Sequence, residues 1–248
     1  MDLKLNNKVI IVSGGSSGIG EGIVNSLLEE GAIPVIIDIA EPKNKDLCFV
    51  FTELVNPNAC QNAINAIVAK HGRIDGLVNN AGFNDTVNFE NGNYEAFMKS
   101  LQTNLVHYYV LAHFALPHLI KSKGNIVNVS SKTAETGQGG TSAYAAANGG
   151  RNALTREWAV ELLKYGIRVN SVIVAECFTP MYEKWIQKQE NPSEKLKSIQ
   201  SKIPLGQRFT TPKEIAQTVS FLLSEVSSHT TGQLVHVDGG YVHLDRAL

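Results

Sequence analysis

A chain of 248 residues, 43% of them hydrophobic, is long enough for one α/β domain with a sizeable core. The formal net charge of −1 excludes the basic footprint of a nucleic-acid binder, and no apolar run is long enough to span a bilayer. Met1-Asp2-Leu3-Lys4-Leu5 lacks the pattern of a secretory signal, and Cys48, Cys60 and Cys177 are odd in number and irregularly spaced. Reduced thiols in a cytoplasmic protein are expected, rather than a disulfide framework or a zinc site. No repeat, low-complexity tract or linker divides the chain, so residues 1–248 are expected to form a single domain.

Val9-Ile10-Ile11-Val12 reads as a buried strand and runs into Ser13-Gly14-Gly15-Ser16-Ser17-Gly18-Ile19-Gly20. An amphipathic helix follows, with Ile23, Val24, Leu27 and Leu28 on one face and Gly31 as its C-terminal cap. A strand feeding a glycine turn into a helix N-terminus suits a pair of phosphates. The unpaired N–H groups point outward, the helix dipole favours negative charge, and a side chain on the glycines would hold the phosphates away. Gly14, Ser16, Ser17, Gly18, Ile19 and Gly20 are therefore candidate cofactor-binding residues. The second strand, Ile33 to Ile37, ends in Asp38, twenty residues past Gly18. An acid there accepts hydrogen bonds from a ribose diol and repels a 2′-phosphate. Ile39 and Ala40 follow it with no basic residue, which favours NAD over NADP.

A third strand, Cys48 to Phe51, is followed by Glu53-Leu54 and by a helix capped at Asn56-Pro57 that carries Ala63, Ile64, Ile67 and Val68 and stops near Gly72. Gly76-Leu77-Val78-Asn79-Asn80-Ala81-Gly82 reads as a strand entering a small-residue turn. Its two Asn side chains tie strand ends together, line the cofactor, or do both. A long helical region over roughly 94–119 has Asn104 in its middle, a poor helix-interior residue that invites a special role. His107, His113 and His118 do not share a face of it, so packing or surface roles are expected, and no metal. A strand from Asn125 to Val129 leads into Ser130-Ser131, and a helix over about 143–163 puts Tyr144 and Asn148 on one face. After a strand from Arg168 to Val174, residues 175–205 read as irregular and contain Met181, Tyr182 and Trp185. Ligands in open α/β sheets bind beyond the strands' carboxyl ends, so this segment is expected to be a substrate lid, the alternative being packing against a partner subunit. Thr211-Pro212-Lys213-Glu214 is a capping box opening a helix through Ile215, Val219, Leu222 and Leu223, and a last strand runs from Leu234 to Val237. The alternation implies a doubly wound parallel sheet with helices on both faces.

Taken together, Gly14-x-x-x-Gly18-x-Gly20, Asn79-Asn80-Ala81-Gly82, Asn104, Ser131 and Tyr144 resemble the short-chain dehydrogenase/reductase family over essentially the whole chain. The thirteen-residue interval from Ser131 to Tyr144 is that family's interval, which favours Ser131 over Ser130. The resemblance implies a Rossmann-like seven-stranded sheet and a nicotinamide cofactor lying along Glu53, Leu54, Asn80, Ala81 and Gly82 as well as the glycine turn. It implies that Tyr144 is the general base or acid, that Ser131 hydrogen-bonds the reacting oxygen, that Asn104 holds a relay water and that Thr179 holds the nicotinamide carboxamide. One departure is large: the family's Lys, four residues after the Tyr, is here Asn148. That Lys binds the nicotinamide ribose and lowers the Tyr pKa. Moving a phenol from about 10 to neutrality takes on the order of 4 kcal/mol. A neutral amide cannot supply it, so impaired activity near neutral pH is expected. A smaller departure is Val174-Ala175, where the family usually has Pro-Gly.

The polar stretch Ser130 to Gln138, Glu176, Thr155 to Ala159, His229 to Gly232 and the ending Val237 to Leu248 resemble the bacterial L-fucose dehydrogenases of this family. That implies oxidation of a hexose at its anomeric carbon to a lactone, with NAD as hydride acceptor. Ser131, Gln138, Glu176 and Trp185 are the candidate substrate residues. The family is commonly tetrameric, and His243, Asp245 and Arg246 are expected over a neighbouring subunit's site. The competing readings are a keto-sugar, uronate or other carbonyl reductase of the same family, and a dinucleotide-binding protein without catalysis.

Overall fold

The computed structural model describes residues 2–245. Seven parallel strands, β1 Val9–Ser13, β2 Ile33–Asp38, β3 Cys48–Phe51, β4 Gly76–Asn79, β5 Asn125–Ser131, β6 Arg168–Val174 and β7 Leu234–Val237, form one sheet in the order β3-β2-β1-β4-β5-β6-β7. The expected doubly wound Rossmann-like sheet is thus present. The strand order reverses between β1 and β4, which opens a crevice at their carboxyl ends.

The continuous apolar run of β1 is explained by two covered faces. Val9 and Ile11 enter one core, against α2 Pro57–His71, α4 His107–Ser122 and α5 Ser142–Glu161. Ile10 and Val12 enter the other, against α1 Gly18–Glu29 and α8 Pro212–Leu223. Each such side chain contributes roughly 1.5–3 kcal/mol by leaving water. The capping box is formed: the Thr211 hydroxyl accepts from the Glu214 N–H, and the Glu214 carboxylate accepts from the Thr211 N–H.

Three segments differ from the sequence reading. The helix expected over 94–119 is α3 Tyr94–Leu101, a π-helical turn Gln102–Val106, and α4, with Asn104 fully buried at the centre of the turn. The strand expected to end at Val129 continues to Ser131, because Ser130 and Ser131 pair with Ile173 and Val174 of β6. The segment 175–205 holds two short helices, α6 Pro180–Ile186 and α7 Pro192–Gln200. Both begin with proline, and Thr179 caps the first by accepting from the Tyr182 N–H at 3.2 Å. Among the described residues no helix is long and apolar enough to cross a membrane.

Candidate active site

The turn after β1 is shaped by contacts that leave no room for side chains. Gly14 has φ +65°, and a Cβ on it would stand 2.9 Å from the Ala81 Cα. On Gly20 a Cβ would stand 2.0 Å from the Gly14 carbonyl oxygen. The Asn80 amide donates to the carbonyls of Ser13 and Gly14 at 3.0 and 3.2 Å, so Asn80 fixes the turn. Its neighbour Asn79 instead bonds Asn128, which bonds Thr155, tying β4 and β5 to α5. Asp38 braces the same turn: its Oδ2 accepts from the Ser16 N–H at 3.1 Å and its Oδ1 from the N–H groups of Ile39 and Ala40. The Ser16 hydroxyl donates to the Ala40 carbonyl. Ser17 precedes α1 without capping it through its side chain. The first-turn N–H groups, Ile19 among them, have no partner within the helix. A backbone cradle at a helix N-terminus, beside a carboxylate, fits a dinucleotide.

Thr179 lies over this turn, its methyl 3.4 Å from where a Cβ on Gly18 would be, so the opening of the 175–205 segment meets the glycine turn. Glu53 and Leu54 follow β3, whose Phe51 pairs with Asp38. Glu53 is exposed, while Leu54 packs into the core and its carbonyl accepts from the Cys60 thiol.

Ser131 ends β5, half-buried, its hydroxyl accepting from the Thr133 N–H. Tyr144 is half-buried in the first turn of α5. Asn148, one turn further, is fully buried, and its amide is engaged within its own helix. Nδ2 donates to the Tyr144 carbonyl at 2.8 Å, and Oδ1 accepts from Arg151 Nη1 at 3.0 Å. The Asn104 amide is likewise engaged, accepting from the Phe83 N–H and donating to Ser100 Oγ. Its backbone carbonyl accepts from Arg151 Nε at 2.6 Å. Arg151 is 3% exposed, also donates to the Val129 carbonyl, and lies 4.3 Å over the Tyr108 ring. Burial, reinforced by the Arg151 charge, pushes the His107 imidazole down to about 3, so this ring is neutral in the fold. Burial pushes the Tyr108 phenol up.

The segment after Ser131 carries a second buried cation. Lys132 forms an ion pair with Glu176, and its ammonium sits 3.9 Å over the Tyr241 ring. Tyr182 lies beside Glu176 without a hydrogen bond of good geometry to its hydroxyl. Burial, and then the Glu176 charge, pushes that phenol up. Tyr182 packs edge-on against Trp185 and Phe209 and tilted against Phe178, making an aromatic rim beside α6. Gln138 stands exposed in a loop with Gly139 and Gly140, outside this cluster. The three histidines read from the sequence do not gather. Elsewhere, Glu135, His236 and His243 bring their ligand atoms within 4.8 Å of one another, with Glu135 hydrogen-bonded to His236 at 3.0 Å. Arg246 lies outside the described residues. Arg151 and Lys132 were not legible as site residues: an Arg within a polar helix and a Lys in a hydroxyl-rich loop look like solvated groups until burial is seen.

Residues 14–242 match a family model described as enoyl-(acyl carrier protein) reductase. The L-fucose dehydrogenase of Bos taurus is 33% identical over 97% of this chain and 91% of its own length. Two solved structures overlay closely. A protein titled Cj0485 dehydrogenase has TM-score 0.97 and 47% identity, covering 100% of this chain and 99% of its own. The aldohexose dehydrogenase of Thermoplasma acidophilum has TM-score 0.95 and 29% identity, with the same coverage.

Proposed function

Because this chain belongs to the short-chain dehydrogenase/reductase family of nicotinamide-dependent oxidoreductases, we propose that it is an NAD-dependent sugar dehydrogenase. Its substrate in this reading is L-fucose or a related aldose, oxidised at the anomeric carbon to the lactone. The observation that carries the sugar reading is the buried Lys132–Glu176 pair directly after Ser131. A wall of charge and hydroxyls suits a polyol, since a site built to bond hydroxyl groups rejects analogues that lack them. The sugar dehydrogenases among the similar proteins support the same class. NAD is preferred to NADP in this reading because the Asp38 carboxylate faces the glycine turn.

In the oxidation Ser131 Oγ holds the anomeric hydroxyl, and the Tyr144 phenolate takes its proton. Asn104 is the relay-water residue of this reading, and Gly14, Ser16, Ser17, Gly18, Ile19, Gly20, Asp38, Asn80, Ala81, Gly82, Tyr144 and Thr179 form the cofactor side, with Glu53 and Leu54 at its outer end. The bound nicotinamide supplies the hydride acceptor. Glu176 and Trp185 face the sugar in this reading, with Gln138, exposed in its glycine loop, as an outer contact. Asn148 impairs the chain relative to the family arrangement, because its amide is held by Tyr144 and Arg151 and leaves the ribose without its ammonium partner. A homotetramer is proposed from the family resemblance alone, and a cytoplasmic location from the three unpaired thiols of Cys48, Cys60 and Cys177.

The test is initial-rate measurement with NAD or NADP against a panel of aldoses, and with the reduced cofactors against keto-sugars. Turnover of L-fucose with NAD is expected. Reduction of keto-sugars with no aldose oxidation would establish the carbonyl reductase reading instead. Cofactor binding by calorimetry with no turnover would establish the non-catalytic reading, which Asn148 favours.

A further inference from the structure

We propose that Arg151 is a positioning residue that returns to this site the fixed positive charge missing at position 148, held on the Tyr144 face of α5 by the Asn148 amide and the Asn104 carbonyl. This rests on the reading of Tyr144 as the proton-transferring group. Four observations carry it. First, Arg151 is a cation buried to 3% exposure, and no carboxylate among the described residues pairs with it. Burying an unpaired charge is costly, so a buried guanidinium without a counter-ion needs a reason to be there. Second, Tyr144, Asn148 and Arg151 fall at i, i+4 and i+7 of α5, on one face. Side chains on a helix lean toward its N-terminus, so Arg151 reaches back along that face toward the phenol's turn.

Third, its hydrogen bonds converge on the elements that frame the candidate site. Nε donates to the Asn104 carbonyl at the π-helical turn, and Nη1 donates to Asn148 Oδ1 and to Val129 O, two residues before Ser131. A π-helical turn displaces the helix ladder by one residue and frees a carbonyl for an outside donor. Fourth, Nη2 is buried and has no hydrogen-bond partner. It points at the turn after β4: a Cβ on Gly82 would lie 2.6 Å from Nη2 and 2.7 Å from Asn104 Oδ1. The guanidinium therefore lies between the Asn104 turn, the Gly82 turn and the Tyr144 helix. It supplies charge but does not replace the ribose contact, because the Asn148 amide is turned back into the helix.

A single charge on the order of 10 Å from a phenol, at an effective permittivity near 20, moves a phenol's titration by on the order of one pH unit. The experiment is a pH titration of the full chain labelled at tyrosine 13Cζ and followed by NMR, with Tyr144→Phe assigning the resonance. In Arg151→Gln, which keeps donors for the buried carbonyls, the Tyr144 midpoint is expected to rise by about one unit. In Arg151→Lys and in Asn148→Lys/Arg151→Gln it is expected to return to within half a unit of the parent chain. Arg151→Met takes the place of Gln should that variant not fold. A Tyr144 midpoint unmoved by the neutral variants, or not rescued by either lysine, overturns the proposal. The readout needs no turnover. A midpoint that moves in a chain oxidising no sugar overturns the proposed function and leaves this inference standing.

Discussion

Restoring the family lysine by Asn148→Lys alone is expected to disappoint. Asn148 is fully buried and its Oδ1 lies 3.0 Å from Arg151 Nη1, so a lysine built there brings an ammonium into a buried site that already holds a guanidinium. Two like charges about 4 Å apart at an effective permittivity of 20 repel by roughly 4 kcal/mol. That is similar in size to the stabilisation the lysine is meant to give the phenolate, so the single substitution gains less than about tenfold in kcat/KM. Removing the guanidinium at the same time relieves the repulsion. The assay is a double-mutant cycle of kcat/KM for NAD reduction over the parent, Asn148→Lys, Arg151→Met and the double variant. Asn148→Lys/Arg151→Met is expected to exceed the sum of the single effects by about 1.4 kcal/mol or more, a factor of at least ten. Additivity within about 0.5 kcal/mol, or a hundredfold gain from Asn148→Lys alone, refutes the reasoning.

Other consequences follow from the same geometry. His107 has a folded pKa of about 3, below its unfolded value, so the unfolded chain binds more protons between them. Its contribution is intact above pH 6.5 and lost as the pH falls, by about 2 kcal/mol between pH 7 and pH 5. Urea unfolding of His107→Phe should show a flatter pH dependence over that interval than the parent. Gly20→Ala puts a methyl 2.0 Å from the Gly14 carbonyl and must open the turn, so NAD affinity by calorimetry is expected to fall at least about tenfold. Asp38→Ser removes the carboxylate facing the turn while keeping an acceptor, and is expected to raise the NADP-to-NAD ratio of kcat/KM by at least about tenfold.

The sheet was legible in the sequence because its central strand must be apolar on both sides, and Val9 to Val12 alternate between two cores as such a strand requires. The glycine turn was legible because the close approaches at Gly14 and Gly20 admit nothing larger. Asn104 drew notice as a misfit in a helix, but a π-helical turn carries no periodic pattern, so its cause emerges only from the backbone. Helices α6 and α7 were missed because each is two turns or so long, too short for an apolar period to register. Arg151 and Lys132 were missed for a different reason. Their partners are backbone carbonyls and side chains brought from distant elements, such as Glu176, forty-four residues from Lys132.

The most direct measurement is NAD reduction with L-fucose by the full chain and by Tyr144→Phe, with NAD binding followed in parallel. The account predicts turnover by the parent, a loss of at least about a hundredfold on removing the phenol oxygen, and NAD still bound by the variant. Turnover that survives Tyr144→Phe, or NAD that binds the parent while no aldose is oxidised, contradicts it.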